Sequence, residues 1–226
     1  RIAALIPKAK ILLVVRNQPS LLLSRYSEYL LAGGKSDFDK FVFALMGESG
    51  EGNRYFQNFY FEIIQILRSA YPDAQLHVIA QEQLLRHTAE TERELFKFLA
   101  LGDPIVIKKG FLSVRKSLSY SGMLLLRHVN RWLIQTPSIA GSPPKGRVPL
   151  FVYRNLVRVL RALDHIVLAQ FSRGASVLLT AERRNSLLQC FRSDNLKLQQ
   201  YLAVDLSKFG YLEPTSESVR LSTGRD

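Results

Sequence analysis

Arg16 and Ser24 are the two residues whose types and spacing best suit the binding of a phosphate. Arg16 follows the run Lys10-Ile-Leu-Leu-Val-Val15, which is short, apolar, rich in β-branched residues and bounded by Pro7 and by Asn17-Gln-Pro19. A run of that kind reads as a buried parallel strand. A guanidinium held at a strand end grips two phosphate oxygens at once. Pro19 suits the first turn of a following helix, which adds the positive end of its dipole and, at Ser24, a hydroxyl donor. By spacing alone, an arginine at a strand end near a serine is also an ordinary surface arrangement, and both readings stand.

The other chemistry-bearing residues are less suggestive. His77 falls inside an apolar run and His165 inside a helical pattern, where a lone histidine is usually structural. His87 and His128 have no Cys, Asp or Glu at ligand spacing, so no metal is expected. Cys190, the only cysteine, reads as a small buried apolar residue on a helix and excludes an internal disulfide framework. Arg154, Arg158 and Arg161, with Arg147 ahead of them, form a basic stripe along one helix face. The ordinary reading is a solvated face; the sharper one is a dock for an acidic acceptor or a membrane surface. Helix-turn-helix, zinc-finger and RNA-recognition patterns are missing, so nucleic acid is not an expected partner.

The elements that must position these residues alternate. After the first strand, Leu21, Leu22, Tyr26, Tyr29 and Leu30 recur at helical spacing until Gly33-Gly34. Asn53–Ala70 reads as one long amphipathic helix through Phe56, Phe59, Tyr60, Ile63, Ile64 and Leu67. Leu76–Ala80 is a second apolar strand, followed by a helix that Thr88 caps and that ends at Gly102. Thereafter the pattern is helical over Ser121–Gln135, Phe151–Phe171, Ala181–Phe191 and Leu196–Leu202, with a Pro-, Gly- and Ser-rich loop over Pro137–Pro149. Strand, helix, helix, strand, helix is an α/β order.

In this order the chain resembles the sulfotransferase family. Pro7, the strand, Arg16, the turn through Pro19 and Ser24 eight residues after the arginine are similar to that family's 3′-phosphate motif. Tyr71–Leu85 looks like its next strand with a Glu-x-Leu turn, and Phe98-Leu-Ala-Leu-Gly102 like the end of the following helix. Leu179–Leu198, Asp205-Leu and Phe209-Gly-Tyr211 resemble its closing helices.

The resemblance implies an α/β fold with a P-loop-like parallel sheet and flanking helices, incomplete at the amino terminus, and a helix-rich carboxy-terminal half. Residues 1–212 would be one domain and 213–226 a flexible tail. It implies sulfuryl transfer from 3′-phosphoadenosine 5′-phosphosulfate, without a metal, to a hydroxyl-bearing acceptor such as an acidic glycan or lipid-linked sugar. Arg16 and Ser24 would bind the donor's 3′-phosphate. Glu82 would hold local structure. Arg173, in Ser172-Arg-Gly-Ala-Ser176, would contact the nucleotide, although the family's lysine is unmatched there; Lys145-Gly-Arg147 has the right chemistry but comes too early. The family's 5′-phosphosulfate loop and catalytic base find no match in the fifteen residues before Arg16 and are expected upstream, so no catalytic residue is assigned and this stretch alone is expected to be inactive. A kinase-like P-loop enzyme and a non-catalytic polyanion-binding module are the alternatives.

Bulk composition fits these expectations without selecting among them. With 47% hydrophobic and 22% charged residues the chain has enough apolar material for a sizeable core, and its net charge of +12 favours anionic partners. Its apolar runs fall well short of the roughly 20 residues that cross a bilayer. The expected location is the cytoplasm, with peripheral membrane contact through Arg154, Arg158 and Arg161 as a further option.

Overall fold

The computed structural model describes residues 2–46, 59–86, 89–102, 118–136, 145–164, 166 and 178–213. It is a mixed α/β structure, predominantly helical, with a small parallel sheet. The chain divides into two compact units. The first gathers Arg1–Gln18, Asn53–Ser113 and Asn185–Asp226; the second gathers Pro19–Gly52 and Val114–Arg184.

In the first unit, a short helix α1 (Ile2–Leu5) precedes strand β1 (Ile11–Val15). Strand β2 (Leu76–Ala80) pairs with β1 in parallel, in register from Ile11 opposite Leu76 to Val15 opposite Ala80. The parallel pairing agrees with the apolar runs, but full burial does not. β2 is largely buried, whereas Leu12 and Val14 of β1 are 38% and 44% exposed. Among the described residues β1 has β2 as its single strand neighbour.

Helix α4 (Tyr60–Ala70) begins after Phe59, and residues 53–58 of the expected helix lie outside the described residues. Phe59, at the N-cap, is extended and offers no side-chain cap. Asp194 supplies one instead, its carboxylate accepting from Tyr60 N at 2.8 Å and Phe61 N at 3.1 Å. The chain then passes through a 3₁₀ turn (Asp73–Gln75), β2 and α5 (Gln81–Arg86) to α6 (Ala89–Leu99). Thr88, the expected cap of α6, lies outside the described residues. The helix ends at Ala100 and not at Gly102. Ala100 adopts φ 56°, and Ala100 N and Leu101 N return to the carbonyls of Lys97 and Phe96. This is the Schellman closure that usually falls to glycine.

Helix α9 (Ala181–Leu202), which follows α7 and α8 of the second unit, corrects the expectation of two shorter helices. Ser193-Asp194-Asn195 reads as a break because such side chains compete for backbone hydrogen bonds. Here Asp194 and Asn195 are buried and spend their polar atoms on distant partners, so the helix runs through. A 3₁₀ turn (Leu206–Phe209) brings the fully buried Tyr211 into the core with Val15, Ile64, Ala80, Phe191 and Leu198.

The second unit holds most of α2 (Gln18–Leu31), then α3 (Phe38–Met46), α7 (Tyr120–Leu133) and α8 (Leu150–Leu163). Gly33, at φ 92°, closes α2: Gly33 N donates to Leu30 O and Gly34 N to Tyr29 O. Gly34 lies so close against the Tyr29 ring that a Cβ would collide with it. Helix α3 was not foreseen. It is capped by Asp37, whose Oδ1 accepts from Lys40 N at 2.9 Å, and its Phe38 and Phe41 rings pack on Tyr26. That backbone hydrogen bond holds the Asp37 carboxyl below its ordinary pKa.

Ser119 caps α7 by accepting from Gly122 N. Asn130, wholly buried, donates to Leu30 O at 2.7 Å and Gly34 O at 2.8 Å and accepts from Tyr153 Oη at 2.9 Å, joining α2, α7 and α8. Burial pushes the Tyr153 hydroxyl up to about 12. Ile134 and Gln135, expected at the end of a helix, instead belong to strand β3 (Ile134–Thr136), which pairs antiparallel with β4 (Lys145–Gly146).

Candidate functional site

The carboxyl ends of parallel strands are where α/β folds present ligand-binding residues, since the chain turns there and exposes backbone and side chains to a crevice. In the first unit, β1 ends at Val15 and is followed at once by Arg16, Asn17 and Gln18; β2 ends at Ala80 and is followed by α5 with Glu82 in its first turn. The three residues after β1 are each held by a different element.

Arg16 is held through its backbone. Tyr60 of α4 donates its hydroxyl to Arg16 O at 2.5 Å, and Arg16 N donates to the Tyr60 hydroxyl at 3.4 Å. Asn17 is held by Glu82, whose Oε1 accepts from Asn17 N at 3.2 Å and Asn17 Nδ2 at 2.8 Å; Nδ2 also donates to Phe209 O at 3.3 Å. Glu82 Oε2 accepts from Tyr211 Oη at 2.9 Å, so both carboxylate oxygens are engaged. Gln18 Nε2 donates to Asn195 Oδ1 at 2.7 Å, while Asn195 Nδ2 donates to Gln18 Oε1 at 3.0 Å and to Tyr211 O at 2.8 Å. Both donor hydrogens of Asn195 are thereby used.

The arrangement clamps the turn after β1 and leaves one group to act outward. The half-buried Arg16 guanidinium takes no hydrogen bond or ion pair among the described residues. It does act electrostatically on Tyr211. Burial, then the Glu82 carboxylate, drive that phenol's pKa well above the ordinary tyrosine range, and the Arg16 charge opposes them. A cation at a clamped strand end can bind an anion without first ordering its own backbone, which lowers the entropic cost of binding.

The sequence-derived residues fall as follows. Arg16 belongs to the first unit; Ser24, half-buried on α2, belongs to the second. Arg173 lies outside the described residues, as do the whole stretch 172–176, His87 and His165. Lys145 and Gly146 form β4, and Arg147 follows it. Glu82 holds local structure through its hydrogen bonds to Asn17 and Tyr211. His77, within β2, stacks on Phe98 of α6 at 5.0 Å, and burial lowers its pKa, with Glu94 opposing. His128 Nδ1 lies 3.0 Å from Leu124 O on the exposed side of α7. Among the described residues no three His, Cys, Asp or Glu side chains gather closely enough to hold a metal ion, and no helix is long and apolar enough to cross a membrane.

Sequence reasoning passed over Asn17, Gln18, Tyr60, Asn195 and Tyr211. One local signal was available: two amides directly after a buried strand must find partners there, because an unpaired buried polar group costs several times what a paired one gains. No family model matches this chain, and neither a curated protein nor a solved structure matches it.

Proposed function

We propose that this chain carries the donor-binding part of a sulfotransferase that takes a sulfuryl group from 3′-phosphoadenosine 5′-phosphosulfate. Arg16 holds the donor's 3′-phosphate, and β1–β2 is part of a P-loop-like parallel sheet. One observation carries the reading: a guanidinium without a partner among the described residues follows directly on β1, at the carboxyl end of a parallel strand pair, on a turn whose backbone is held by Tyr60 and Glu82 and whose Gln18 side chain is held by Asn195. Its positive charge, half-buried setting and freedom from carboxylates fit a phosphate dianion. The ordered likeness of the surrounding sequence to sulfotransferases selects that nucleotide among phosphate ligands.

The donor supplies the activated sulfuryl group. The part played by this chain is to bind the far end of the nucleotide and so orient its sulfate end, which is worth most when the reacting atoms are thereby aligned. No described side chain is assigned as the base that deprotonates the acceptor hydroxyl. The acceptor proposed is a carbohydrate or glycolipid.

Calorimetry with adenosine 3′,5′-bisphosphate and adenosine 5′-monophosphate tests the reading. The bisphosphate should bind more tightly, and Arg16→Ala should weaken it by about 1.5–3 kcal/mol, roughly tenfold to a hundredfold, with no comparable loss for the monophosphate. Tyr60 is bonded to the Arg16 backbone and not to its side chain, so the variant should fold normally. Equal affinities for the two nucleotides would overturn the 3′-phosphate assignment. Equal affinities together with a steep salt dependence would indicate a polyanion-binding module instead.

A further inference from the structure

The outer face of α8 combines two features that sequence reading had separated. An α-helix turns about 100° per residue, so Arg154, Arg158 and Arg161 share an arc of roughly 60°, and Phe151, Val152, Val159 and Leu163 fall within the adjoining roughly 120° together with Asn155, whose Oδ1 accepts from Arg158 Nη1. The opposite side faces inward with the buried Tyr153 and Asp164. All three arginines are exposed, and so is the apolar arc: Phe151 is 68% exposed, Val159 54% and Leu163 45%. The sole acid of this helical stretch, Asp164, is buried and accepts from Ser119 N, so among its described residues the outer face of α8 carries no negative charge.

The same end of the unit adds an aromatic and more cations. Arg147 N donates to Leu133 O at 2.7 Å, which sets the end of α7 beside the approach to α8. Next to Leu133 stands Trp132, 71% exposed, and the exposed Arg131, Lys145 and Arg147 belong to the same stretch of chain.

We propose that this face docks on an anionic lipid surface. Phe151, Val159 and Trp132 enter the boundary between headgroups and acyl chains, and Arg154, Arg158 and Arg161 meet the phosphates and carboxylates above it. A helix with an arginine flank beside an apolar arc lies in the plane of a bilayer interface for this reason: burial of the arc and attraction of the flank act together. Tryptophan and arginine are suited to that depth, since each has an apolar body with a polar tip that reaches outward. A soluble polyanion would satisfy the arginines but would leave the apolar arc in water, and so explains half of the surface. This inference is independent of the donor site.

Trp132 is the chain's single tryptophan, so its emission reports on the end of α7 beside the approach to α8. The full chain is mixed with vesicles of phosphatidylcholine, with and without about 30 mol% phosphatidylserine, at roughly 0.1 M salt. The expected result is a blue shift of Trp132 emission and flotation of the protein with the anionic vesicles only. Phe151→Ser with Val159→Ser should weaken partitioning roughly tenfold or more, and Arg154→Gln with Arg158→Gln and Arg161→Gln should do the same. Circular dichroism checks that these exposed substitutions leave the helices intact. The proposal is overturned if anionic vesicles leave the emission unshifted, if the serine variants bind as well as the parent chain, or if sedimentation without lipid shows the serine substitutions dissolving a dimer that occupies this face.

Discussion

Replacing Asp194 with alanine should unravel the start of α4, a helix that begins 134 positions earlier in the chain. Asp194 is 6% exposed, and its carboxylate is the N-terminal cap of α4 in place of the side chain that Phe59 lacks. Alanine removes the cap, worth about 0.5–2 kcal/mol. It also removes the Asp194 acceptor from the buried Tyr60 N, a penalty of about 1–3 kcal/mol. Relief from burying a carboxylate offsets part of this, and the expected net loss is about 2–4 kcal/mol. Asp194→Asn keeps one acceptor and should lose roughly half as much. Urea titration followed at the helical dichroism band measures both.

The pH dependence has a definite sign. Burial raises the Asp194 pKa above its ordinary 3.8, against the opposing hydrogen bonds from Phe61 and Tyr60, so the folded chain holds this proton more tightly than the unfolded one. Stability from that proton is fully present below the unfolded carboxylate's pKa and is lost as pH rises through the raised folded value. The parent chain's advantage over Asp194→Asn should therefore shrink as pH increases across this window. A loss below about 0.5 kcal/mol for Asp194→Ala, the size of an ordinary surface substitution, or an advantage that widens with pH would refute the reasoning.

Three other substitutions probe the remaining polar joints. Glu82→Ala removes an acceptor from Asn17 N, Asn17 Nδ2 and Tyr211 Oη and should cost about 2–4 kcal/mol in urea unfolding, whereas Glu82→Gln, which keeps an acceptor for Asn17, should cost about 1 kcal/mol; equal losses would show that the hydrogen bonds are not the cause. Asn130→Ala removes a donor from Leu30 O and Gly34 O and the acceptor of Tyr153 Oη, and should lower the thermal midpoint by the equivalent of about 2–4 kcal/mol. Ala100→Gly relieves a left-handed backbone and should raise stability by about 0.5–1 kcal/mol, with a lower thermal midpoint counting against it.

Apolar pattern located both parallel strands to within a residue, because a continuous β-branched run between turn residues leaves few alternatives. It located the packed face of α2, through Leu22, Tyr26 and Leu30, for the same reason: burial of a stripe follows helical spacing whatever the partner is. The limits of that signal show at β1. Leu12 and Val14 are as apolar as the rest of the run, yet they are exposed, because burial depends on what lies against the strand and the strand's own sequence does not encode it. At α3 the signal was available and unread: Asp37, with Lys40 three positions on and Phe38 and Phe41 between and after, is an N-cap followed by an apolar face.

The polar errors have a common cause. Asp194 and Asn195 look like helix breakers when only their neighbours are considered, since both side chains can bond to nearby backbone. They do not break α9 because each has a better partner far away in sequence: the bare start of α4 for Asp194, and Gln18 with Tyr211 O for Asn195. Phe59 looks like the interior of a helix because its missing cap is supplied from α9. The residues that local rules misjudge are thus the ones that hold the turn after β1, with Tyr60 fixing the Arg16 backbone and Asn195 fixing Gln18. Arg16 itself was legible as a cation at a strand end. The reason its backbone is rigid enough to bind an anion at low entropic cost lies in contacts that span 44 to 177 positions of sequence. Clamping by such contacts, more than the presence of an arginine near a serine, distinguishes this turn from an ordinary surface arginine, and it is why Tyr60→Phe should weaken anion binding at Arg16 without touching the guanidinium.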